Sequence, residues 1–273
     1  MHNYVDAYLI SFPKCGRTWL RLMIGTALQQ QFDLSHPDIK QKMLSLTPLA
    51  ELHPNIPTIL IDHDDNPQWN KPEELQTSKD RYKNVKVIFL VRDPRDVVVS
   101  AYFEQKKRVY LWADGFKQDK SLKKYLDRIK PYEGNLSEFI YEDVGSLKTL
   151  LRYYNIWKKN RHIPKDFLLV RYEDIHENPH QELRIVLDFL GVQYRDEVIN
   201  EAVNYSSFEK MRNMEKTQKF DLKLKPANLE DEESYKTRKG KVGGFAEYLN
   251  EKEIAYINHL INDTLSDFYG YKA

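Results

Sequence analysis

One nearly unbroken apolar run, VKVIFLVRDP at residues 85–94, constrains the fold of this chain more than any other stretch. A strand with apolar side chains at consecutive positions must be covered on both faces, which is typical of central parallel strands. Residues 95–108 follow at once with a helical pattern, and Pro94 suits the first turn of that helix. The stretch therefore predicts a buried strand that passes directly into a helix.

The rest of the chain repeats this alternation of strand and helix. Short β-branched and aromatic runs predict further strands at residues 4–12, 58–65 and 166–175. Apolar residues at helical spacing predict further helices at residues 18–32, 146–161, 178–192 and 250–268. Because the sequence contains neither an internal repeat nor a linker, we expect a single α/β domain over residues 1–273. Its mainly parallel central sheet should be flanked by helices, and right-handed crossovers should connect its strands.

Composition excludes several classes of function. Lys and Arg number 42 against 41 Asp and Glu, so net charge favours neither nucleic acid nor a membrane surface, and an anion site needs a local cluster. The single cysteine, Cys15, forms no disulfide within the chain and favours a reducing compartment. The N-terminal residues lack a signal-peptide pattern, and no apolar segment reaches the roughly 18–20 residues of a membrane span. We therefore expect a cytoplasmic protein with no membrane span and no nucleic-acid partner.

The loop PKCGRT at residues 13–18 joins the first predicted strand to the first predicted helix. A helix N-terminus favours anions because its backbone N–H groups and its dipole face the ligand. Gly16 allows close approach of the backbone, Lys14 adds a positive charge and Thr18 adds a hydroxyl. The loop is P-loop-like, but Lys14 precedes Gly16, so it lacks the Gly-Lys-Ser/Thr order of a Walker A motif. An ordinary turn with Lys14 and Arg17 in solvent is the alternative.

Two further cationic signals follow. Arg92 ends the buried strand, and Ser100 lies eight residues later on the next helix. Ligands of open α/β sheets bind at the carboxyl ends of the strands, so Arg92 should face the crevice of the PKCGRT loop. A guanidinium with a hydroxyl suits a second phosphate, whereas a salt bridge to Asp93 or Asp96 is the alternative. The run RKG at residues 238–240 predicts a compact cationic turn, for which a solvated surface is the alternative.

Together these three signals resemble the cytosolic-type sulfotransferase family, which uses 3′-phosphoadenosine 5′-phosphosulfate (PAPS). The family's loop, Tyr-Pro-Lys-Ser-Gly-Thr-Thr-Trp, is similar to FPKCGRTW at residues 12–19. Its 3′-phosphate motif starts with Arg and carries a Ser eight residues on, and its third motif is Arg-Lys-Gly. Order and rough spacing agree from about residue 8 to 245. The resemblance implies an enzyme that transfers the sulfuryl group of PAPS to a hydroxyl and releases PAP. Because a sulfuryl group carries less charge than a phosphoryl group, no metal is expected.

The resemblance also implies three sets of cofactor contacts. The set for the 5′-phosphosulfate is Lys14, Cys15, Gly16, Arg17 and Thr18. The set for the 3′-phosphate is Arg92, Ser100, Arg238, Lys239 and Gly240. The set for the adenine is Trp19, Tyr172, Ser206 and Phe208. For the aromatic members of the adenine set, a place in the core is the alternative.

Transfer to a hydroxyl needs in-line attack, loss of a proton and stabilisation of charge on the departing phosphate. Lys14 would stabilise the bridging oxygen as it leaves. His63, in LIDHDD at the end of the second predicted strand, holds the chain-order place of the family's histidine and is the predicted base. Asp62 or Asp64 could fix its tautomer. A surface histidine, or a metal ligand in the His-x-Asp spacing, is the alternative.

Departures from the family pattern indicate a divergent member, for which a bacterial source is one option. Cys15 stands for the family's Ser, Arg17 for its first Thr, and Ile61 for a lysine often found two residues before the histidine. Arg17 and Lys106 are the candidates to replace that lysine. A P-loop-type nucleotide kinase and a non-catalytic PAP- or nucleotide-binding protein remain alternative functions.

The acceptor is expected to be a small-molecule or glycan hydroxyl. Residues 106–134 and 215–235 should roof its pocket, and residues 215–244 read as a mobile loop. Aromatic side chains near the first stretch favour an aromatic or lipid-like alcohol, although the lysines and acids beside them also suit a sugar or peptide hydroxyl. The aromatic residues are Tyr102, Phe103, Tyr110, Trp112, Phe116 and Tyr132. The oligomeric state is not indicated.

Overall fold

A four-stranded parallel sheet organises this computed structural model, which describes residues 4–111, 120–218, 220 and 224–272. The strand order is β2-β1-β3-β4. The strands are β1 Ala7–Ser11, β2 Ile59–Asp62, β3 Lys86–Val91 and β4 Asp166–Arg171. Each lies within a predicted strand, so the predicted α/β class with a parallel central sheet is confirmed.

The strand order creates a topological switch point beside β1. The two neighbours of β1 are β2 and β3, so the connection from β2 to β3 passes over β1. Ser11 pairs with Leu90 and Ile10 with Asp62, so β1 and its two neighbours end at the same edge. In open α/β sheets, such an edge is where ligands bind.

The core strand β3 confirms the prediction made from its apolar run. Five consecutive residues, Val87 to Val91, are fully buried. Consecutive rather than alternate burial means that both faces of the strand are covered. The next helix, α3 Pro94–Lys107, begins at the proline that suits its first turn, and the Asp93 carboxylate accepts a hydrogen bond from the Arg95 N–H.

The described helices follow the predicted ones closely, with several additions. No helix among the described residues is long and apolar enough to cross a membrane. The other α-helices are α1 Arg17–Gln31, α2 Ile39–Ser45, α4 Leu136–Tyr141, α5 Leu147–Asn160, α6 Tyr172–Glu177, α7 Pro179–Leu190, α8 Asp196–Tyr205, α9 Phe208–Lys216 and α10 Glu251–Thr264. The short 3₁₀ helices are Thr47–Leu49, Pro67–Trp69, Pro72–Glu74, Asp80–Tyr82, Lys120–Tyr125, Glu232–Ser234, Gly244–Glu247 and Asp267–Tyr269.

The fourth strand is shorter than its sequence predicts. The strand ends at Arg171, and Tyr172 begins α6. Glu173 and Asp174 lie in the first turn of this helix, where carboxylates interact favourably with the positive end of the helix dipole. Tyr172 is therefore placed at the sheet edge rather than inside the strand.

Contacts along the chain divide it into two units, and the single-domain expectation stays a prediction. The first unit contains the whole sheet and comprises Met1–Asp64, Thr77–Arg92 and Lys159–Met211. The second unit comprises Asp65–Gln76, Asp93–Lys158 and Arg212–Ala273, and it contains α3, α4 and α10.

Candidate functional site

The loop between β1 and α1 has the backbone of an anion site. Lys14 and Gly16 both adopt left-handed conformations, with φ of 75° and 90°. The 15-residue helix α1 begins directly afterwards, and the N–H groups of Trp19 and Leu20 donate to the Gly16 carbonyl. Left-handed residues ahead of a helix N-terminus form a concavity of backbone N–H groups that suits an anion. A non-glycine residue at positive φ, as at Lys14, is strained and common at functional sites.

Tyr172 packs against three parts of this loop region within the first unit. An ideal Cβ on Gly16 would lie 2.4 Å from Tyr172 Cδ2, so only glycine fits at this point. The Trp19 and Tyr172 rings lie edge to face with their centroids 5.6 Å apart. The Arg92 guanidinium carbon lies 4.3 Å from the centroid of the Tyr172 ring, which is a cation–π contact. The first unit therefore brings together the loop, Trp19, Arg92 and Tyr172.

His63 follows β2 and contacts both ends of the same loop region. Its Nδ1 lies 2.9 Å from the carbonyl oxygen of Ser11, the last residue of β1. Its Nε2 lies 2.5 Å from Nη2 of Arg17, the first residue of α1. Nη1 of Arg17 donates to the Asp62 carbonyl oxygen. The predicted base and the predicted phosphosulfate loop are thus neighbours, and the Ser11 carbonyl holds Nδ1 where a carboxylate of Asp62 or Asp64 was expected.

A network of charged side chains instead binds the two carboxylates that flank His63, and Asp64 is its buried member. Asp64 and Lys79 are each only 2% exposed, and their charged groups lie 2.8 Å apart. Arg81 Nη2 donates to Asp64 at 2.8 Å and to Asp62 at 3.0 Å. The Tyr82 hydroxyl also donates to Asp64, and burial together with the Asp64 charge raises the pKa of this phenol. The network fixes the turn that carries His63.

Cationic side chains also perturb each other at the start of α1. Burial, and then the nearby charge of Arg17, lowers the pKa of Arg21 below its usual range. The Arg21 guanidinium donates to the Leu44 carbonyl oxygen. This positive potential adds to that of the helix N-terminus, and both favour an anionic ligand.

In the second unit, Asp96 joins the Ser100 helix to the segment after the RKG turn. Asp96 on α3 is 3% exposed, and its two carboxylate oxygens accept hydrogen bonds from the N–H groups of Gly243 and Phe245, each at 2.9 Å. Ser100 lies one helical turn further along α3 and is half-buried. Asp96 therefore holds the backbone that follows the RKG turn against α3.

The RKG turn itself is ordered by aromatic rings and by a left-handed glycine. The Arg238 guanidinium carbon lies 4.4 Å from the ring centroid of Phe103 and 4.7 Å from that of Tyr248. Gly240 has a φ of 63°, and the Lys239 Nζ lies 3.2 Å from a carboxylate oxygen of Glu247. Arg238 of the turn thus packs against α3, the helix on which Ser100 lies.

The segment expected to be a mobile loop is anchored by buried charges. Glu215 is fully buried and accepts hydrogen bonds from the backbone N–H groups of Lys236, at 2.5 Å, and Thr237, at 2.8 Å. Arg108 is 1% exposed and donates to the carbonyl oxygens of Lys225, at 2.8 Å, and Ser234, at 2.5 Å. These two buried charges bind the backbone of the segment at Lys225, Ser234, Lys236 and Thr237, while its mobility stays a prediction.

The expected pocket roof is also partly core. Tyr102 and Phe103 are 8% and 7% exposed and pack against aromatic rings of the second unit, because they lie on an inner face of α3. The Lys106 Nζ donates to the Gly134 carbonyl oxygen at 2.8 Å. Tyr110 is 49% exposed, and its hydroxyl donates to the Ala227 carbonyl oxygen at 3.1 Å. Trp112 and Phe116 lie outside the described residues, and Tyr132 packs against Tyr102 and Phe139.

The remaining predicted site residues differ in the solvent exposure of their side chains. Cys15 and Ser206 are fully buried, and the Ser206 hydroxyl donates to the Ala202 carbonyl oxygen in α8, the helix that Ser206 follows. Phe208 begins α9 and is 42% exposed. Thr18 lies in the first turn of α1 and is half-buried. No group of three or more His, Cys, Asp or Glu residues in the described ranges could hold a metal ion.

Comparison with known proteins identifies the family. Residues 5–269 match the model of the sulfotransferase domain. The chain belongs to the sulfotransferase domain family. The predicted family resemblance is thereby confirmed, and so is the predicted enzyme class.

Similar proteins include plant and animal sulfotransferases. Flavonol 3-sulfotransferase from Flaveria bidentis is 26% identical over 95% of this chain and 81% of its own length. Sulfotransferase 2A1 from Macaca fascicularis is 23% identical over 96% of this chain and 85% of its own length. Cytosolic sulfotransferase 17 from Arabidopsis thaliana is 24% identical over 94% of this chain and 73% of its own length.

Two solved structures share the fold of this sulfotransferase. Mouse sulfotransferase SULT7A1 complexed with PAP has a TM-score of 0.58 at 19% identity, covering 95% of this chain and 84% of its own. Retinol dehydratase in complex with androsterone and inactive cofactor PAP has a TM-score of 0.61 at 19% identity, covering 96% and 81%. These likenesses confirm the predicted fold class.

Proposed function

We propose that this sulfotransferase transfers the sulfuryl group of PAPS to the hydroxyl of a small-molecule or glycan acceptor, with His63 as the base. The observation that carries the proposal is the 2.5 Å contact between His63 Nε2 and Arg17, the first residue of the helix behind the anion loop. A base beside an anion-binding loop is the arrangement that transfer from an anionic donor to a hydroxyl requires.

The residues of the loop region fit a ligand that carries phosphate groups. The left-handed Lys14 and Gly16 and the N-terminus of α1 would hold the phosphosulfate, with Lys14 supplying positive charge beside the departing phosphate. Arg92, oriented by the Tyr172 ring, would bind the 3′-phosphate, and Trp19 would face the adenine. Ser100 and the residues of the RKG turn are proposed for the same phosphate. When bound, PAPS supplies the sulfuryl group and leaves as PAP.

His63 is suited to take the proton of the acceptor hydroxyl. The Ser11 carbonyl can only accept a hydrogen bond, so the 2.9 Å contact favours a ring proton on Nδ1, and a neutral ring then has its lone pair on Nε2. The Nε2 atom then has the chemistry of a general base. A positioned base of this kind typically contributes about 10²–10⁴-fold in rate.

Ligand-dependent thermal stability tests the proposed cofactor. A ligand that binds only the folded state raises the unfolding midpoint by mass action. We expect PAP to raise the midpoint more than AMP does, because only PAP carries the 3′-phosphate. A larger shift with ATP and magnesium than with PAP would favour the nucleotide-kinase alternative instead.

Turnover by a His63 variant tests the proposed base. Radiolabelled PAPS would be offered with flavonols, simple phenols, sterols and oligosaccharides, and the flavonols come first because similar proteins carry that name. His63→Asn should keep the PAP-induced stabilisation and lose at least about 100-fold in turnover. The matched control is His259→Asn, since the His259 side chain is 71% exposed on α10. Unchanged turnover in His63→Asn would contradict the proposal, and no turnover in the wild type with any acceptor would favour a non-catalytic PAP-binding protein.

A further inference from the structure

The Arg17 side chain, rather than only its backbone, reaches the catalytic end of the site. One amino group, Nη1, donates to the Asp62 carbonyl oxygen at the end of β2. The other, Nη2, lies 2.5 Å from His63 Nε2. The guanidinium is planar and rigid, so a hydrogen bond from one amino group fixes the direction of the other. The carbonyl of Asp62, at the end of the strand that precedes His63, therefore holds Arg17 against the imidazole.

The two contacts of the imidazole are compatible with only one protonation state. Nδ1 faces the Ser11 carbonyl, which only accepts, and Nε2 faces the Arg17 guanidinium, which only donates. A neutral ring with its proton on Nδ1 satisfies both partners. An imidazolium would place a second N–H donor, and a second positive charge, directly against the guanidinium.

The two acids that flank His63 in the sequence are themselves paired with cations. The carboxylates of Asp62 and Asp64 adjoin His63 in the sequence, and each is bound by Arg81. Lys79 also pairs with Asp64. Lys14, in the loop on the far side of Ser11, adds a further positive charge to the region. Each flanking acid is therefore already paired with a cation, whereas the cation Arg17 directly contacts the ring, which disfavours a protonated ring.

We propose that Arg17 is a positioning residue that keeps His63 neutral, with its lone pair on Nε2, until the acceptor hydroxyl displaces the guanidinium. Its kinetic consequence rests on the proposed role of His63 as the base, whereas the tautomer itself does not. Arg17 stands where the resemblance has a threonine, so this device is a property of this chain. The enzyme should consequently work at lower pH than it would without the guanidinium.

Nitrogen NMR of the imidazole tests the tautomer without any turnover. Long-range ¹H–¹⁵N spectra of the full chain distinguish a protonated Nδ1 from a protonated Nε2, and a His63→Gln spectrum assigns the signals. In the wild type at neutral pH we expect the neutral ring with its proton on Nδ1. A neutral ring with its proton on Nε2, or a charged ring at neutral pH, would overturn the proposal regardless of how any variant folds.

Titration of the same signal in two variants tests the role of the charge. Arg17→Gln should move the His63 titration midpoint upward by about one pH unit, since it removes a cation beside the ring. Arg17→Lys keeps a positive charge and should move it less. The matched control is Arg195→Gln, because the exposed Arg195 also donates to a backbone carbonyl, that of Gln30. Equal midpoints in the wild type and Arg17→Gln would overturn the proposal.

The pH dependence of kcat/KM provides the kinetic counterpart, because it reports the groups of the free enzyme. The acid limb of Arg17→Gln should shift upward with the NMR midpoint, and Arg17→Lys should restore it. PAP-induced stabilisation is measured on the same variants, so that a loss of cofactor binding is recognised as such. If the NMR midpoint moves but the acid limb does not, the role of His63 as the base fails while the positioning by Arg17 stands.

Discussion

Replacing Gly16 by alanine should destabilise the protein through a specific clash with Tyr172. The new Cβ would lie 2.4 Å from Cδ2 and 2.8 Å from Cε2 of that ring, distances that real Cβ atoms do not show. The ring cannot simply retreat, because it also contacts Trp19 and Arg92. The backbone at Gly16 has a φ of 90°, which adds strain for any residue with a side chain.

The magnitude follows from these two costs. A left-handed conformation costs a non-glycine residue about 1–2 kcal/mol. Forcing extra volume into a packed site typically costs about 1–3 kcal/mol more. The free energy of unfolding should therefore fall by about 2–5 kcal/mol, which lowers the thermal midpoint by about 4–10 °C at about 2 °C per kcal/mol for a chain of this size.

Gly191 offers a matched control for the clash. It ends α7 with a φ of 78°, and a Cβ placed there would meet nothing within 4 Å. Gly191→Ala should therefore cost only the conformational part, about 1–2 kcal/mol. Thermal and urea unfolding would be measured on both variants, together with PAP binding. Equal destabilisation of the two variants would refute the argument that Tyr172 dictates glycine at position 16.

Two further predictions concern charged side chains of the second unit. Asp96→Ala should lower the free energy of unfolding, measured in urea, by about 2–4 kcal/mol, because it leaves two backbone amides beside the RKG turn without their acceptor. The same change should weaken PAP binding. Unchanged PAP affinity would show that this link does not position the turn. Glu74 forms a two-bond ion pair with Arg128, whose hydrogen bonds lower the pKa of that carboxyl to about 2. Because the folded-state pKa is depressed, the stabilisation is present above about pH 4.5 and is lost as pH falls toward about 2. The Glu74 side chain is 37% exposed, so the effect should stay below about 1 kcal/mol, and Arg128→Gln should abolish it in urea unfolding at acidic pH.

The strands and the anion loop could be predicted because their causes are local. Burial on both faces requires a continuous apolar run in β3, and the left-handed turn before α1 requires a glycine at position 16. The end of β4 was predicted less well, since the run of mixed residues through Tyr172 fits a strand as well as a helix start. Local patterns therefore gave the sheet edge but not the residue at which each element ends.

The contacts that complete the candidate site could not be predicted, because they join distant positions. Nothing in the sequence pairs Arg17 with His63, which lie 46 residues apart, or Asp96 with the amide of Phe245, 149 residues away. Arg108 and Glu215 look like ordinary surface charges in the sequence, yet both are buried. One signal was available for Arg17, since it adds a charge where the family has a threonine.

Because Cys15 is buried, its alkylation rate reports local opening of the anion loop. The thiol is fully buried although it lies between Lys14 and Gly16. A thiol reagent can reach it only when the segment between β1 and α1 opens, so the alkylation rate measures how often that local opening occurs. Since this is the one cysteine of the chain, every labelled molecule reports the same event, and no engineered probe is needed to follow it.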